Sequence, residues 1–123
     1  MILDVNTRRV EPNITVLEFI GRLTLGNRLT EVERSIRESI QQGCRRLVLD
    51  LARLDFLDSA GVGMLVMCAG AMDHAGGQIR VAGANSRVTQ IFEITHLGRV
   101  VPILATAAAA CGSFTDAGTA TAS

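Results

Sequence analysis

The sequence predicts an α/β fold: one domain in which a small mixed sheet of four to five strands packs with about four helices. Three observations carry this expectation. Short apolar runs alternate with longer stretches whose apolar residues recur every three to four positions, in the order strand, strand, helix, strand, helix, strand, helix. Strand–helix–strand units need crossovers that return parallel strands to one sheet. The 123 residues, 48% hydrophobic and 20% charged, supply a core for one domain but not for two. The domain is expected to span residues 1–113, and the small, polar, aperiodic segment 114–123 to be a disordered tail.

Each element has its own signal. Leu3 to Arg8 alternates in polarity, and after Glu11-Pro12-Asn13 the run Ile14–Ile20 is apolar on nearly both faces, which predicts a hairpin of one edge strand and one inner strand. Leu29, Val32, Ile36 and Ile40 form one helical stripe, with Gly43 placed where a helix stops. Leu47-Val48-Leu49-Asp50-Leu51 has the composition of a central strand covered on both faces. The next helix begins near Ser59, turns Val62, Leu65, Val66, Ala69 and Met72 inward, and ends at Gly76-Gly77. Ile79–Ala82 is a further strand, and Ser86 is the predicted N-cap of a helix burying Val88, Ile91 and Phe92, with Gly98 beyond it. Val100–Leu104 is a last extended segment that Pro102 confines to an edge, and the Ala-rich Thr106–Cys111 makes one short helix.

Composition narrows the partners. Twelve basic and twelve acidic residues cancel, so the broad positive field that draws a protein to nucleic acid is lacking, and no nucleic-acid partner is expected. The longest mostly apolar stretch, Gly61–Met72, falls short of the roughly 20 residues a spanning helix needs, so membrane insertion is not expected either. The three cysteines, Cys44, Cys68 and Cys111, lack paired spacing and read as free thiols. The N-terminus has an early acid and no apolar block, unlike a signal peptide, so a cytoplasmic protein is expected.

One segment concentrates the chemistry. Leu57-Asp58-Ser59-Ala60-Gly61-Val62-Gly63 follows a central strand and opens a helix, which sets the Ser59 hydroxyl at a helix N-terminus. Free backbone N–H groups and the positive end of the dipole favour an oxygen acceptor there, and a phosphate more so. By position alone Ser59 reads first as the N-cap, and the glycines as packing residues. A cap does not require two glycines, however, and each costs about 0.5–1 kcal/mol in a helix relative to alanine, so close approach by another molecule is the competing reading. The Asp58 carboxylate lies beside the hydroxyl, where it orients it or helps hold a kinase's metal–nucleotide complex.

These residues carry a resemblance. Leu47–Leu51, then Leu57–Gly63 with its D-S-x-G-x-G core, then Gly76-Gly77 before a strand and Val88-Thr89-Gln90-Ile91-Phe92-Glu93 before Leu97, are similar in order and spacing to the STAS domain of bacterial anti-sigma factor antagonists. The similarity spans nearly the whole chain. It implies that Ser59 is phosphorylated by an ATP-dependent anti-sigma factor serine kinase. It further implies that the unphosphorylated chain sequesters that kinase and frees the sigma factor, and that a serine phosphatase reverses the modification. The implied partner surface is Thr24, Asp58, Ser59, Ala60, Gly61 and Gly63, with a homodimer left open. No cofactor, metal or catalytic residue is implied. Many phosphorylated members carry an acidic pair after the second strand; the matching positions here are Gly21-Arg22-Leu23-Thr24, and Ala60 replaces a second hydroxyl found in some relatives.

The alternatives are a non-switched STAS scaffold subunit of a signalling or lipid-transport complex, with Ser59 only a cap, and a small hydrolase using Ser59. No base with recognisable spacing supports the hydrolase, since neither His74 nor His96 is linked to Ser59 by a triad or metal-ligand pattern. There is no Gly-Lys-Ser/Thr phosphate loop, and Gly61-Val62-Gly63 lacks the third glycine of a dinucleotide fingerprint. Arg8-Arg9 and Arg45-Arg46 read as solvated ends of elements, and Met64, Met67 and Met72 as core filling or a soft contact surface.

Overall fold

The computed structural model describes residues 3–11 and 13–122, with the side chains of 115–122 outside the described set. Strands β1 (Asp4–Val10) and β2 (Ile14–Leu23) form the hairpin, followed by α1 (Leu29–Gln41), β3 (Arg46–Leu57), α2 (Ser59–His74), β4 (Gln78–Ala82), α3 (Ser86–Thr95), a 3-10 turn at Leu97–Arg99, β5 (Ile103–Leu104) and α4 (Ala107–Ala122). The five strands lie in sequence order, with β1 antiparallel to β2 and every later pair parallel. This is the mixed sheet with four helices that the alternation of periods predicts.

Two apolar layers explain why β2 and β3 are hydrophobic on both faces. Leu17, Phe19, Leu47, Leu49, Leu51, Ile79 and Val81 face α1, α2 and α3, whose contributions include Val32, Ile36, Val62, Leu65, Val88 and Phe92. The intervening residues Ile14, Val16, Val48 and Ala82 meet Ala110 and Phe114 of α4. Phe114 is fully buried, so packing runs one residue past the boundary expected at 113; its burial contributes about 1.5–3 kcal/mol. The expected tail beyond it falls on residues whose side chains lie outside the described set.

Three local differences from the sequence expectation shape the site. First, β3 does not stop at Leu51. It continues to Leu57 through two bulges: Glu18 pairs Asp50 but Ile20 pairs Arg53, and Gly21 pairs Leu54 but Arg22 pairs Phe56. The buried Asp50 holds the first bulge by accepting the Ala52 N–H at 3.1 Å. Second, β2 runs to Leu23, so Gly21, Arg22 and Leu23 are strand residues and only Thr24 begins the loop. Third, the caps stand one residue earlier than predicted. Asp58, not Ser59, caps α2 by accepting the Gly61 N–H at 2.9 Å, and Asn85, not Ser86, caps α3 by accepting the Val88 N–H at 2.8 Å.

Candidate functional site

The site is the corner where the parallel ends of β2 and β3 meet the start of α2. The extra residues of β3 bring Asp58 alongside the end of β2, where the Asp58 N–H donates to the Leu23 carbonyl at 3.2 Å. A turn over Thr24-Leu25-Gly26-Asn27 follows, closed by Asn27 N–H to the Thr24 carbonyl at 3.0 Å, with Gly26 at φ 81°. The Leu25 N–H then donates to Asp58 Oδ2 at 3.0 Å. One carboxylate therefore takes a backbone donor on each oxygen, Gly61 on Oδ1 and Leu25 on Oδ2, and ties the loop to the helix. Desolvation pushes the Asp58 carboxyl up, but the N–H groups of Leu25, Gly61, Ala60 and its own backbone outweigh it and hold the pKa below the ordinary aspartate value.

With the cap supplied by Asp58, Ser59 becomes the first residue of α2, and it is exposed. The two glycines after it have different reasons. Gly61 is buried: a Cβ there would meet the Leu23 carbonyl group and stand 3.1 Å from Leu57 Cβ, so its close approach is to this chain's own β2. Gly63 is exposed, with nothing within 4 Å of where its Cβ would be. Of the predicted partner surface, the fold brings Thr24, Asp58, Ser59, Ala60 and Gly63 to one accessible corner and sets Gly61 beneath it.

Three apolar residues extend that surface. Leu25 is 80% exposed at the tip of the turn that Asp58 anchors, and along α2 Val66 and Met67 are 41% and 46% exposed. Val66 thus points outward, contrary to the inward prediction, while Met64 and Met72 are core. Leu25 was legible as a lone large apolar residue in a glycine-containing turn; Val66 was not, because α2 is apolar on all sides. At the same end of the sheet, a cavity of about 590 Å³ is lined by Arg22, Asp55, Phe56, Asn85, Ser86 and Arg87. Its Arg22 guanidinium stacks 5.3 Å from the Phe56 ring centre.

Chemically the corner offers an acceptor hydroxyl. His74 ends the same helix, about 22 Å along its axis at 1.5 Å per residue, too far to act as a base for Ser59. Among the described residues no group of three or more His, Cys, Asp or Glu is arranged to hold a metal ion, and no helix is long and apolar enough to cross a membrane.

Comparison with known proteins agrees with this architecture. The chain is 29% identical over 87 residues to BtrV of Bordetella bronchiseptica, provisionally designated an anti-sigma factor antagonist, covering 71% of this chain and 75% of BtrV. It is 30% identical over 73 residues to the anti-sigma F factor antagonist of Paenibacillus polymyxa, covering 58% of this chain and 62% of that one. Among solved structures, an anti-sigma factor antagonist from Mycobacterium paratuberculosis superposes with a TM-score of 0.80 at 18% identity, covering 90% of this chain and 92% of that one. The Bacillus cell fate determinant SpoIIAA in its phosphorylated form gives 0.70 at 20% identity, covering 90% and 99%. The family model of the STAS domain matches residues 7–110, and with the sheet order, the Asp58-capped helix and these relatives in agreement, the chain belongs to the STAS domain family.

Proposed function

We propose that this chain is an anti-sigma factor antagonist switched at Ser59. In the unphosphorylated state it binds an anti-sigma factor that is also a serine kinase, and the sigma factor is released. The kinase then transfers the γ-phosphoryl group of ATP to Ser59 Oγ: the Oγ–P bond forms, ADP leaves, and the hydroxyl proton passes to a base on the kinase. A serine phosphatase hydrolyses the ester and restores the binding form. The observation that carries this reading is the free, exposed Ser59 hydroxyl at the first position of α2, released from capping by Asp58.

The same geometry supports an account of how the modification acts. A phosphoserine adds about −1.5 to −2 charges at neutral pH. At the positive end of α2 that charge is favourable, so melting of the helix is a poor explanation of switching. The cost falls on the partner, whose surface must pack over Thr24, Leu25, Ser59 and Gly63 and then accommodate a dianion beside the Asp58 carboxylate. Intact-mass analysis after incubation with ATP and a candidate kinase encoded nearby tests the proposal. One added phosphate, absent in Ser59→Ala and accompanied by loss of kinase binding, is expected. An unmodified chain bound constitutively in a larger complex would overturn it in favour of a scaffold.

A further inference from the structure

Leu25 is 80% exposed, more than any other large apolar residue described, yet the turn that carries it is braced on both sides. The Asn27 N–H closes the turn on the Thr24 carbonyl, and the Leu25 N–H is fixed on Asp58 Oδ2. Asn27 Nδ2 donates to the Arg22 carbonyl at 2.8 Å, and Asn27 Oδ1 accepts the Leu3 N–H at 3.3 Å. Arg28 donates from Nη1 to the Leu3 carbonyl at 3.1 Å and from Nε to Glu31 Oε2 at 2.9 Å. Leu3 is fully buried, so these bonds moor the turn to the core as well as to the start of α2. Arg28 takes φ 68° to complete the path, a left-handed conformation that a non-glycine residue keeps only where surrounding contacts impose it.

A lone exposed leucine is ordinary and needs no explanation. Ile94, 77% exposed on α3, is of that kind, because the helix fixes its backbone whatever the side chain does. The turn at Leu25 differs: the side chains that brace it, Asn27, Arg28 and Asp58, lie outside the helices and strands, and none of them buries Leu25. Holding an apolar side chain out in water gains the isolated domain nothing. It does lower the ordering cost of burying that side chain in another molecule.

We infer that Leu25 is the recognition residue for the kinase, seated in an apolar pocket of that partner while Ser59 reacts, and that Asp58 is the positioning residue that presents it. The inference rests on the Ser59 proposal and deepens it. One Asp58 carboxylate bonds both the turn and the helix start, so Leu25 and the Ser59 hydroxyl are held in a fixed relation. Steady-state phosphorylation of the full chain by the candidate kinase, followed by intact mass, provides the test. Leu25→Ala is expected to raise KM about tenfold or more with kcat unchanged, and Leu25→Asp to raise it further, because a carboxylate is penalised in an apolar pocket. Ile94→Ala, which trims a comparably exposed side chain, is expected to change neither constant. Asp58→Ala releases the turn, so in that background Leu25→Ala should cost less than about threefold, a non-additivity that loss of the helix cap alone does not produce. A KM for Leu25→Ala within about twofold of wild type, an equal effect of Ile94→Ala, or additive losses with Asp58→Ala overturns the inference and leaves the Ser59 proposal standing. A wild-type chain left unmodified at Ser59 by the kinase overturns both.

Discussion

Replacing Gly61 and Gly63 separately by alanine probes the start of α2 with the same added methyl in two environments. At Gly61 the new Cβ would stand 3.1 Å from the Leu23 carbonyl carbon and from Leu57 Cβ, and closer still to the Leu23 oxygen. The obstacle is backbone, so the helix start must withdraw from β2 by about an ångström to reach ordinary contact. Overpacking of this kind costs about 1–3 kcal/mol. The same withdrawal weakens the 3.2 Å bond from the Asp58 N–H to the Leu23 carbonyl, a further loss of roughly 0.5–1.5 kcal/mol. Alanine's helix preference returns about 1 kcal/mol, leaving a net loss of about 1–3 kcal/mol. At Gly63 only the propensity gain remains, because nothing lies within 4 Å, and a stabilisation of about 0.5–1 kcal/mol is expected. Urea unfolding read by circular dichroism resolves the pair, since the two midpoints should move in opposite directions around wild type, by about 1 M for Gly61→Ala. Equal midpoints would refute the assignment of Gly61 to packing and Gly63 to the open surface.

Three further outcomes follow from the same geometry. The lowered pKa of Asp58 means that its ionised form is favoured by folding, so its contribution is complete above the unfolded value near pH 4 and is lost as pH falls through the lower folded value. Asp58→Ala should cost about 1 kcal/mol at neutral pH and flatten the acid limb of a stability–pH curve below about pH 4; an unchanged limb contradicts this role. Burial first, and then the Glu33 charge, push the Cys68 thiol up to about 12, so a disulfide reagent at neutral pH should modify Cys44 and Cys111 in the native protein and Cys68 only on unfolding, as peptide mass mapping would report. Phe114→Ala should destabilise by about 3–5 kcal/mol in thermal unfolding, because the ring is fully buried and also carries the Arg80 guanidinium 4.7 Å from its centre.

The elements were legible where burial and periodicity agree. The α1 stripe, the two-faced apolar run of β2 and the short β5 after Pro102 all stand as their residues predict. The second half of β3 was hidden for a physical reason. Each bulge inserts one residue into the strand, so the buried Leu51, Leu54 and Leu57 fall three apart, a spacing foreign to a regular strand. In α2 every face is apolar, and periodicity does not distinguish the outward Val66 from the inward Met64. At both caps two adequate residues are adjacent, Asp58-Ser59 and Asn85-Ser86, and only the path of the preceding strand decides between them. The Ser59 corner was found from its local pattern, whereas the cavity lined by Arg22, Phe56, Asn85 and Arg87 joins residues from β2, β3 and the start of α3, whose proximity no local pattern records.

Asp58 alone caps α2, and Ser59 takes no part in that cap. In the proposed cycle this separates timekeeping from folding: neither adding nor removing the phosphate requires the substrate to reorganise, so the lifetime of each signalling state is set by the kinase and phosphatase alone. Position 59 is then free to drift among residues that fold equally well, and selection on it reads only the conversation with the partner.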